Sequence, residues 1–297
     1  MAPRNLNAGN FMVTRRKFIA QGMPLLLSSQ YIFSANASLN SNVDFYKLNI
    51  EMSNPTEKFL ENPFLKFYLP MNINGRQELT NVSSDDEFYV DKLNSGNNIL
   101  HIKPEKIEPW NTRILHFSLS VNHSPSVKTP PILETSGENS LFYKVNQKDK
   151  ELLLGIAQSL KSESEINTIK NTFDWVSQNI KPLNYNPSFL DINEIWKNKS
   201  GDCSEFSLLT SNLLKINGIA SRNMAGFLLH NDKKLSMKFY HNWCECLVDE
   251  TWLIADTYTQ TLSISSQSHL ATQAYEINDN KIGQSKYLTS DGIKIKI

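Results

Sequence analysis

Cysteine is scarce in this chain: three in 297 residues, at positions 203, 244 and 246. Three thiols are too few for a disulfide framework in a secreted chain, and at least one stays unpaired. Charge of one sign is also lacking, with 30 Lys and Arg against 30 Asp and Glu. There is no basic arm or patch, which argues against a general attraction to nucleic acid or to an anionic membrane surface. Beyond the N-terminal region no segment approaches the roughly 20 apolar residues that a membrane span needs. What is present is ordinary globular material, 40% hydrophobic and 20% charged, enough for one large domain or two modest ones.

The N-terminus departs from that balance. The first 37 residues contain Arg4, Arg15, Arg16 and Lys17 and no acid. Without those four, 26 basic residues face 30 acidic ones, a net of −4. The stretch "VTRRKFIAQGMPLLLSSQYIFSANAS" runs from paired arginines through a weakly apolar segment, Met23 to Phe33, to the small residues Ala35-Asn36-Ala37. That order resembles a twin-arginine export signal cleaved after Ala37. Residues 1–11 add nothing to the signal, which leaves Met12 as an alternative start. The mature protein is expected outside the cytoplasm, periplasmic or secreted, with no integral membrane segment.

From about residue 43 to 121 the chain reads as strands: "VDFYKLNIEM", "PFLKFYLPM", "DEFYVDKL", "NNILHIK" and "TRILHFSLSV", separated by Asn, Pro, Gly and Ser clusters. Short spacing and the absence of a helical period predict a small β-sandwich. A Pro/Ser/Thr-rich connector follows, "NHSPSVKTPPILETSGENS". The period then changes. Ile166, Ile169, Phe173, Val176 and Ile180 recur at three- and four-residue steps, one apolar stripe on a helix that ends near Pro182, and "DKELLLGIAQSL" before it predicts another. The expected layout is a signal over 1–37, a β-sandwich over 38–125, a linker over 126–146 and a second domain over 147–297. In that second part "NMAGFLLH", "MKFYHNWCECLV" and "TWLIADTYTQT" read as strands, and "KYLTSDGIKIKI" as a terminal hairpin turning at Asp291-Gly292.

Two acid pairs punctuate the approach to Cys203. Asp191 with Glu194, and Asp202 with Glu205, have the spacing of a capping box. The second pair predicts a helix that opens at Cys203, buries Phe206, Leu209, Leu213 and Leu214, and stops at Gly218. A cysteine at the first helical position lies among unsatisfied backbone N–H groups at the positive end of the helix dipole, a setting that favours a thiolate. Asp202 and Glu205 act against it, so an activated thiol there needs a cationic imidazole.

Val248-Asp249-Glu250-Thr251 most simply closes a hairpin with Asp249 and Glu250 in the loop. Val248 then pairs with Thr251 and Trp243 lies opposite Asp256. His241 is thereby one diagonal step from Asp256 on the same face, about 7–8 Å between backbones, which long side chains close. A thiol, a base to take its proton and a carboxylate to hold the imidazole are what nucleophilic acyl transfer requires.

The stretches "SGDCSEFSLLTSNLLKINGIASRNMAGF" and "YHNWCECLVDETWLIADT" resemble the transglutaminase-like superfamily. The shared motifs are a Gly-Asp-Cys helix start, a "GI-x-x-R" passage into a strand, His-x-Trp-x-Glu, and a strand ending in Asp. Ala220 stands where the family usually has proline after "GI", and Cys244 and Cys246 stand where apolar residues are common. The resemblance covers about residues 140–262. It implies an α+β protein in which an N-terminal β-sandwich precedes a transglutaminase-like, papain-like cysteine protease core. It also implies that Cys203, His241 and Asp256 form a catalytic triad acting on protein or peptide amides through a thioester. The acceptor, water or an amine, stays open, as does the alternative of a catalytically silent binding or assembly module of the cell envelope.

No cofactor is expected, and no acidic cluster has the look of a calcium site. A metal site in "HNWCEC" is disfavoured because His241 and the pair Cys244/Cys246 point to opposite faces of one strand. Those two cysteines are expected as buried thiols on the core face. Trp175, Trp243 and Trp252 are expected to pack, Trp196 is a weaker candidate for an N–H donor at the site, and Glu245 is expected to support His241 from the same face. The Cys203 backbone N–H is the natural first donor to an oxyanion.

Overall fold

The structure is a computed structural model and describes residues 42–124, 147–185, 190–264, 267–275 and 286–297. The expected export signal, 1–37, and the expected linker, 126–146, lie outside the described residues.

The strand Asn42–Ser53 alternates, with Tyr46, Leu48, Ile50 and Met52 buried. It pairs antiparallel along its whole length with Thr112–His123, whose Leu115, Phe117, Leu119 and Val121 face the same way. Leu48 sits opposite Phe117 and Ile50 opposite Leu115. Gln77–Ser83 extends this sheet along the far edge of Thr112–His123. A second antiparallel sheet, Leu65–Leu69 with Asn98–Ile102 and Tyr89–Lys92, adds Leu65, Phe67, Leu69, Leu100 and Ile102 to the same apolar cluster. Each such side chain removed from water contributes on the order of 1.5–3 kcal/mol before chain entropy is counted, so this shared layer holds the two sheets together. All five strands read from the N-terminal sequence are present. Gln77–Ser83 was not anticipated, because the apolar residues of "QELTNVS", Leu79 and Val82, stand three apart rather than two.

After residue 147 come four helices, α1 (Gln147–Leu160), α2 (Glu165–Asn179), α3 (Ile192–Asn198) and α4 (Cys203–Ile216). They are followed by an antiparallel sheet ordered Thr261–Ser263, Thr251–Asp256, Tyr240–Val248, Ser221–Leu228, His269–Ala274. One face of this sheet packs on α2 and α4, where Ile169, Phe173 and Leu214 meet Cys244, Cys246, Leu253 and Ala255. The other packs Trp243, Met224, Ile254 and Ala271 against Met71 and Ile73. Covered on both faces, the strand Tyr240–Val248 is buried from His241 to Cys246 without alternation. The chain is thus mixed α+β, with an N-terminal β region and a helix-covered sheet behind it.

The expected terminal hairpin does not form. Around the turn at Asp291–Gly292, Tyr287–Thr289 pairs with Leu65–Leu69 and Lys294–Lys296 pairs with Asn42–Ser53. Two three-residue strands satisfy few backbone groups by pairing with each other, whereas each open sheet edge offers a row of partners.

A buried ion cluster joins the N-terminal region to the third sheet. Glu245, fully buried, accepts from Arg76 Nη2 at 2.6 Å, from Arg222 Nε and Nη2 at 2.9 and 2.6 Å, and from the Trp243 indole at 3.1 Å. Burial alone would push this carboxyl up, but the two guanidiniums hold it down at about 2. The expected link from Glu245 to His241 is absent among these contacts, and the glutamate instead anchors Arg76 from the preceding β region. Gln77 reinforces the junction, donating to the carbonyls of Met71 and Ala271 and accepting from the Ala271 N–H. Removing one partner of such a cluster leaves buried charge uncompensated. Glu245→Ala is therefore expected to cost about 3–5 kcal/mol of stability, measured by urea unfolding.

Candidate active site

The chain reaches Cys203 through a tightly determined turn. Asp202 is the N-cap, extended in backbone, and its carboxylate accepts from Ser204 N at 2.8 Å; Glu205 Oε2 returns the bond by accepting from Asp202 N at 2.7 Å. Glu205 Oε1 also accepts from Leu190 N at 3.1 Å, tying the cap to the segment before α3. Burial, with a contribution from its contact with Asp202, raises the Glu205 carboxyl to about 7. Gly201 is required here, since a Cβ on it would lie 2.5 Å from Glu205 Cβ. The box directs the second and third helical N–H groups to Asp202 and leaves Cys203, half-buried, at the mouth of the helix.

The facing hairpin has the register that the sequence predicts. Val248 pairs with Thr251 and Cys244 with Ala255, a two-residue loop at Asp249-Glu250 with both residues at positive φ. His241 and Asp256 share a face, and Nε2 of His241 donates to Asp256 Oδ2 at 2.8 Å. Cys203 lies close enough to the same imidazole to raise its basicity. Nε2 being committed to Asp256, Nδ1 is the nitrogen left for sulfur. The three sequence-selected residues therefore fall in one line, the imidazole bonded to the carboxylate with the thiol near it. Ser204 and Asn242, their chain neighbours, are joined at 2.6 Å, and Tyr275 donates to Asn242 at 3.0 Å, which locks helix to strand beside the line.

Asp256 is 1% exposed and heavily solvated by protein. Oδ1 accepts from the backbone N–H groups of Tyr258 and Thr259, both at 3.1 Å, and Oδ2 from the Thr259 hydroxyl at 2.5 Å. A second imidazole, His269, places Nε2 3.0 Å from the same Oδ2. Its own Nδ1 lies 2.8 Å from Ser268 Oγ, and its ring meets Trp243 edge-on at 4.9 Å. Burial works to raise the Asp256 carboxyl, but the two histidines hold it well below the usual carboxylate range. For His241 burial works to lower basicity, yet the hydrogen bond to Asp256 and the influence of Cys203 raise it to about 10. Near neutral pH His241 is an imidazolium.

His269 was missed by sequence reasoning. It lies thirteen residues past Asp256 on a strand, His269–Ala274, that pairs with Ser221–Leu228 rather than with either arm of the hairpin, so no local spacing announces it. His241, Asp256 and His269 also bring three potential metal-ligand atoms within 4.8 Å of one another among the described residues. Cys244 and Cys246 belong to no disulfide and are buried on the helix-facing side, and burial pushes the Cys246 thiol far up. Trp175 stacks on Trp196 with ring centres 6.2 Å apart, and Arg222 lies over Trp252 at 4.0 Å. The aromatic wall nearest the line is Tyr258, 5.6 Å from the His241 ring and edge-on to Phe206 at 5.2 Å.

Two outcomes follow from this geometry. His269→Ala leaves the buried carboxylate short of a donor and is expected to cost about 1–3 kcal/mol in urea unfolding, with His269→Gln, which keeps an N–H, recovering part of it. His241 is raised in the fold from 6.5 to about 10. The stability it contributes is therefore complete below about pH 6.5 and is lost as pH rises from there towards 10. The melting temperature of the wild type should fall over that window more steeply than that of His241→Gln.

Residues 154–257 match the Transglutaminase-like superfamily core, a segment that contains Cys203, His241 and Asp256 but stops short of His269. A UPF0252 protein of Methanocaldococcus jannaschii is 24% identical over 259 residues, covering 78% of this chain and 70% of that protein. Among solved structures, a protein of Cytophaga hutchinsonii provisionally assigned as a cysteine protease superposes with a TM-score of 0.52 at 14% identity, over 86% of this chain and 90% of that one. The periplasmic domain of TgpA from Pseudomonas aeruginosa matches with a TM-score of 0.38 at 14% identity, over 76% and 89% of the two chains. At such identities the likeness is one of fold. Over residues 154–257 the chain is thus similar to the transglutaminase-like superfamily core, on an α+β fold like that of the Cytophaga hutchinsonii protein.

Proposed function

We propose that this protein is an exported acyl-transfer enzyme in which Cys203 is the nucleophile, His241 the acid–base partner and Asp256 the group that orients the imidazole. The observation that carries this reading is the His241 imidazole hydrogen-bonded to buried Asp256 with Cys203 close enough to raise its basicity, the sulfur at a helix N-terminus and half-open to solvent. An imidazolium held by a buried carboxylate stabilises a neighbouring thiolate. The thiolate attacks the carbonyl of a protein or peptide amide, the S–C bond forms, and the negative charge on oxygen faces the Cys203 N–H. Collapse of that intermediate breaks the C–N bond while His241 gives its proton to the departing amine. The thioester then passes to water, giving hydrolysis or deamidation, or to an amine, giving cross-linking. No cofactor enters these steps.

Export through a twin-arginine signal ending at Ala37 is part of the same proposal, with a β-sandwich over 38–125, a linker over 126–146 and the transglutaminase-like part over 147–297. The likeness to a cysteine protease-like structure supports protein or peptide substrates. Among the described residues no helix is long and apolar enough to cross a membrane.

Alkylation of Cys203 by iodoacetamide, followed by peptide mass mapping at graded pH, tests the nucleophile. Wild type is expected to label rapidly near neutral pH and His241→Ala at least about 100-fold more slowly, the scale of a lost acid–base partner. Equal, slow labelling in both would instead leave a silent binding module. Mass spectrometry of envelope proteins incubated with the enzyme and a primary-amine probe then reads deamidation, amine incorporation or cleavage, none of which is expected from Cys203→Ala.

A further inference from the structure

One cation near the thiol has no role in the chemistry above. Lys286 precedes the strand Tyr287–Thr289 and is half-buried. Its ammonium lies over two phenol rings, 4.7 Å from the centre of Tyr240 and 5.1 Å from that of Tyr185, within the range of a favourable cation–π contact. Tyr240 is the residue before His241, and its ring is braced edge-on by Phe227 at 5.3 Å while its hydroxyl lies 3.4 Å from Thr272 Oγ1. Tyr185 projects from the other side, two residues after Leu183, whose N–H bonds Gly201 O and whose carbonyl accepts from Tyr258 OH. Lys286 thus spans from the strand that carries His241 to the segment that abuts the turn into Cys203, and both Cys203 and Asp202 lie within its electrostatic reach.

The rings position the ammonium without neutralising it. Burial pushes Tyr240 to about 12, so that phenol is uncharged at neutral pH. Among the described residues no ion pair involves Lys286, and Asp202, whose charge acts on it, is occupied capping α4. Burial lowers the Lys286 ammonium, while the charges of Cys203 and Asp202 work to keep it protonated. A partly desolvated cation beside a nucleophile, held by neutral faces, is matched best by an anion brought in with the substrate.

We propose that Lys286, held across the faces of Tyr185 and Tyr240 at the start of the strand that carries His241, forms an anion-binding subsite that selects acyl donors bearing a carboxylate next to the carbonyl under attack. The proposal rests on Cys203 being the nucleophile and names a substrate class for it. The carboxylate is either an acidic side chain adjoining the target amide or a free chain terminus.

Two small electrophiles of nearly equal size separate charge recognition from thiol reactivity. Iodoacetate carries a carboxylate one carbon from the reacting centre and iodoacetamide a neutral amide in the same place. The full-length protein is reacted with each at pH 7 and low salt, and the ratio of the two rate constants at Cys203 is read by mass mapping. In wild type the ratio should favour iodoacetate relative to a free thiol such as glutathione. Lys286→Gln should lower the ratio about fivefold, the scale of one partly exposed ion pair, Lys286→Arg should keep it, and 1 M salt should reduce it. An unchanged ratio in Lys286→Gln overturns the subsite, as does an equal slowing of both reagents, which would assign Lys286 to the thiolate itself. The reading of Cys203 as nucleophile is judged separately, by whether the iodoacetamide rate depends on His241. Peptide vinyl sulfones with an acidic side chain beside the electrophile, or with a free terminal carboxylate, then distinguish the two sources. The preferred probe should lose its advantage in Lys286→Gln, and loss by neither overturns the proposal.

Discussion

The buried carboxylate of Asp256 is the interaction on which the site depends. A charge with 1% exposure is tolerable only if the protein replaces its water, and here five donors do so: two imidazoles, one hydroxyl and two backbone N–H groups. These donors come from three places in the chain, the strand of His241, the turn after Asp256 and the strand of His269. Satisfying one carboxylate therefore sets the relative positions of three segments. The same satisfaction sets the electrostatics: a carboxylate held in its charged form keeps His241 cationic, and a cationic His241 can face a thiolate.

A second buried charge plays the corresponding role behind the site. Glu245 lies four residues along the strand from His241 and on the same face, yet its partners are Arg76, Arg222 and Trp243. The strand Tyr240–Val248 thus joins its front end to the candidate catalytic line and its rear end to the turn that carries Arg76. The apolar layer of Met71, Ile73, Trp243 and Ile254 fills the space beside it. Orientation of His241 is for this reason not a property of the helix-covered sheet alone, since a segment more than 160 residues earlier in the chain packs against the strand that holds it.

Much of this was legible from local rules. The capping boxes at Asp191 and Asp202 involve residues three apart, so the spacing alone locates the starts of two helices. The hairpin register follows from a two-residue loop, and strict alternation then puts His241 and Asp256 on one face and Cys244 and Cys246 on the other. What escaped was non-local. Gln77–Ser83 is a strand because a long neighbour, Thr112–His123, offers an edge, not because its residues alternate. Tyr287–Thr289 and Lys294–Lys296 divide between two sheets, a choice that depends on which edges are open. His269 lies on a strand, and Lys286 just before one, whose pairing partners are distant in sequence.

By itself the sequence determined where α4 begins, which residues share a face of the hairpin, and therefore that Cys203, His241 and Asp256 could meet. Each of these rests on interactions between residues a few positions apart, whose geometry is set by helical and strand periods. Only the tertiary structure decided how Asp256 is kept charged, which residues anchor Glu245, and which cation lies over Tyr240 and Tyr185. Those depend on how sheets stack and which edges they leave open, and burial, rather than spacing, gives a charged group its partners.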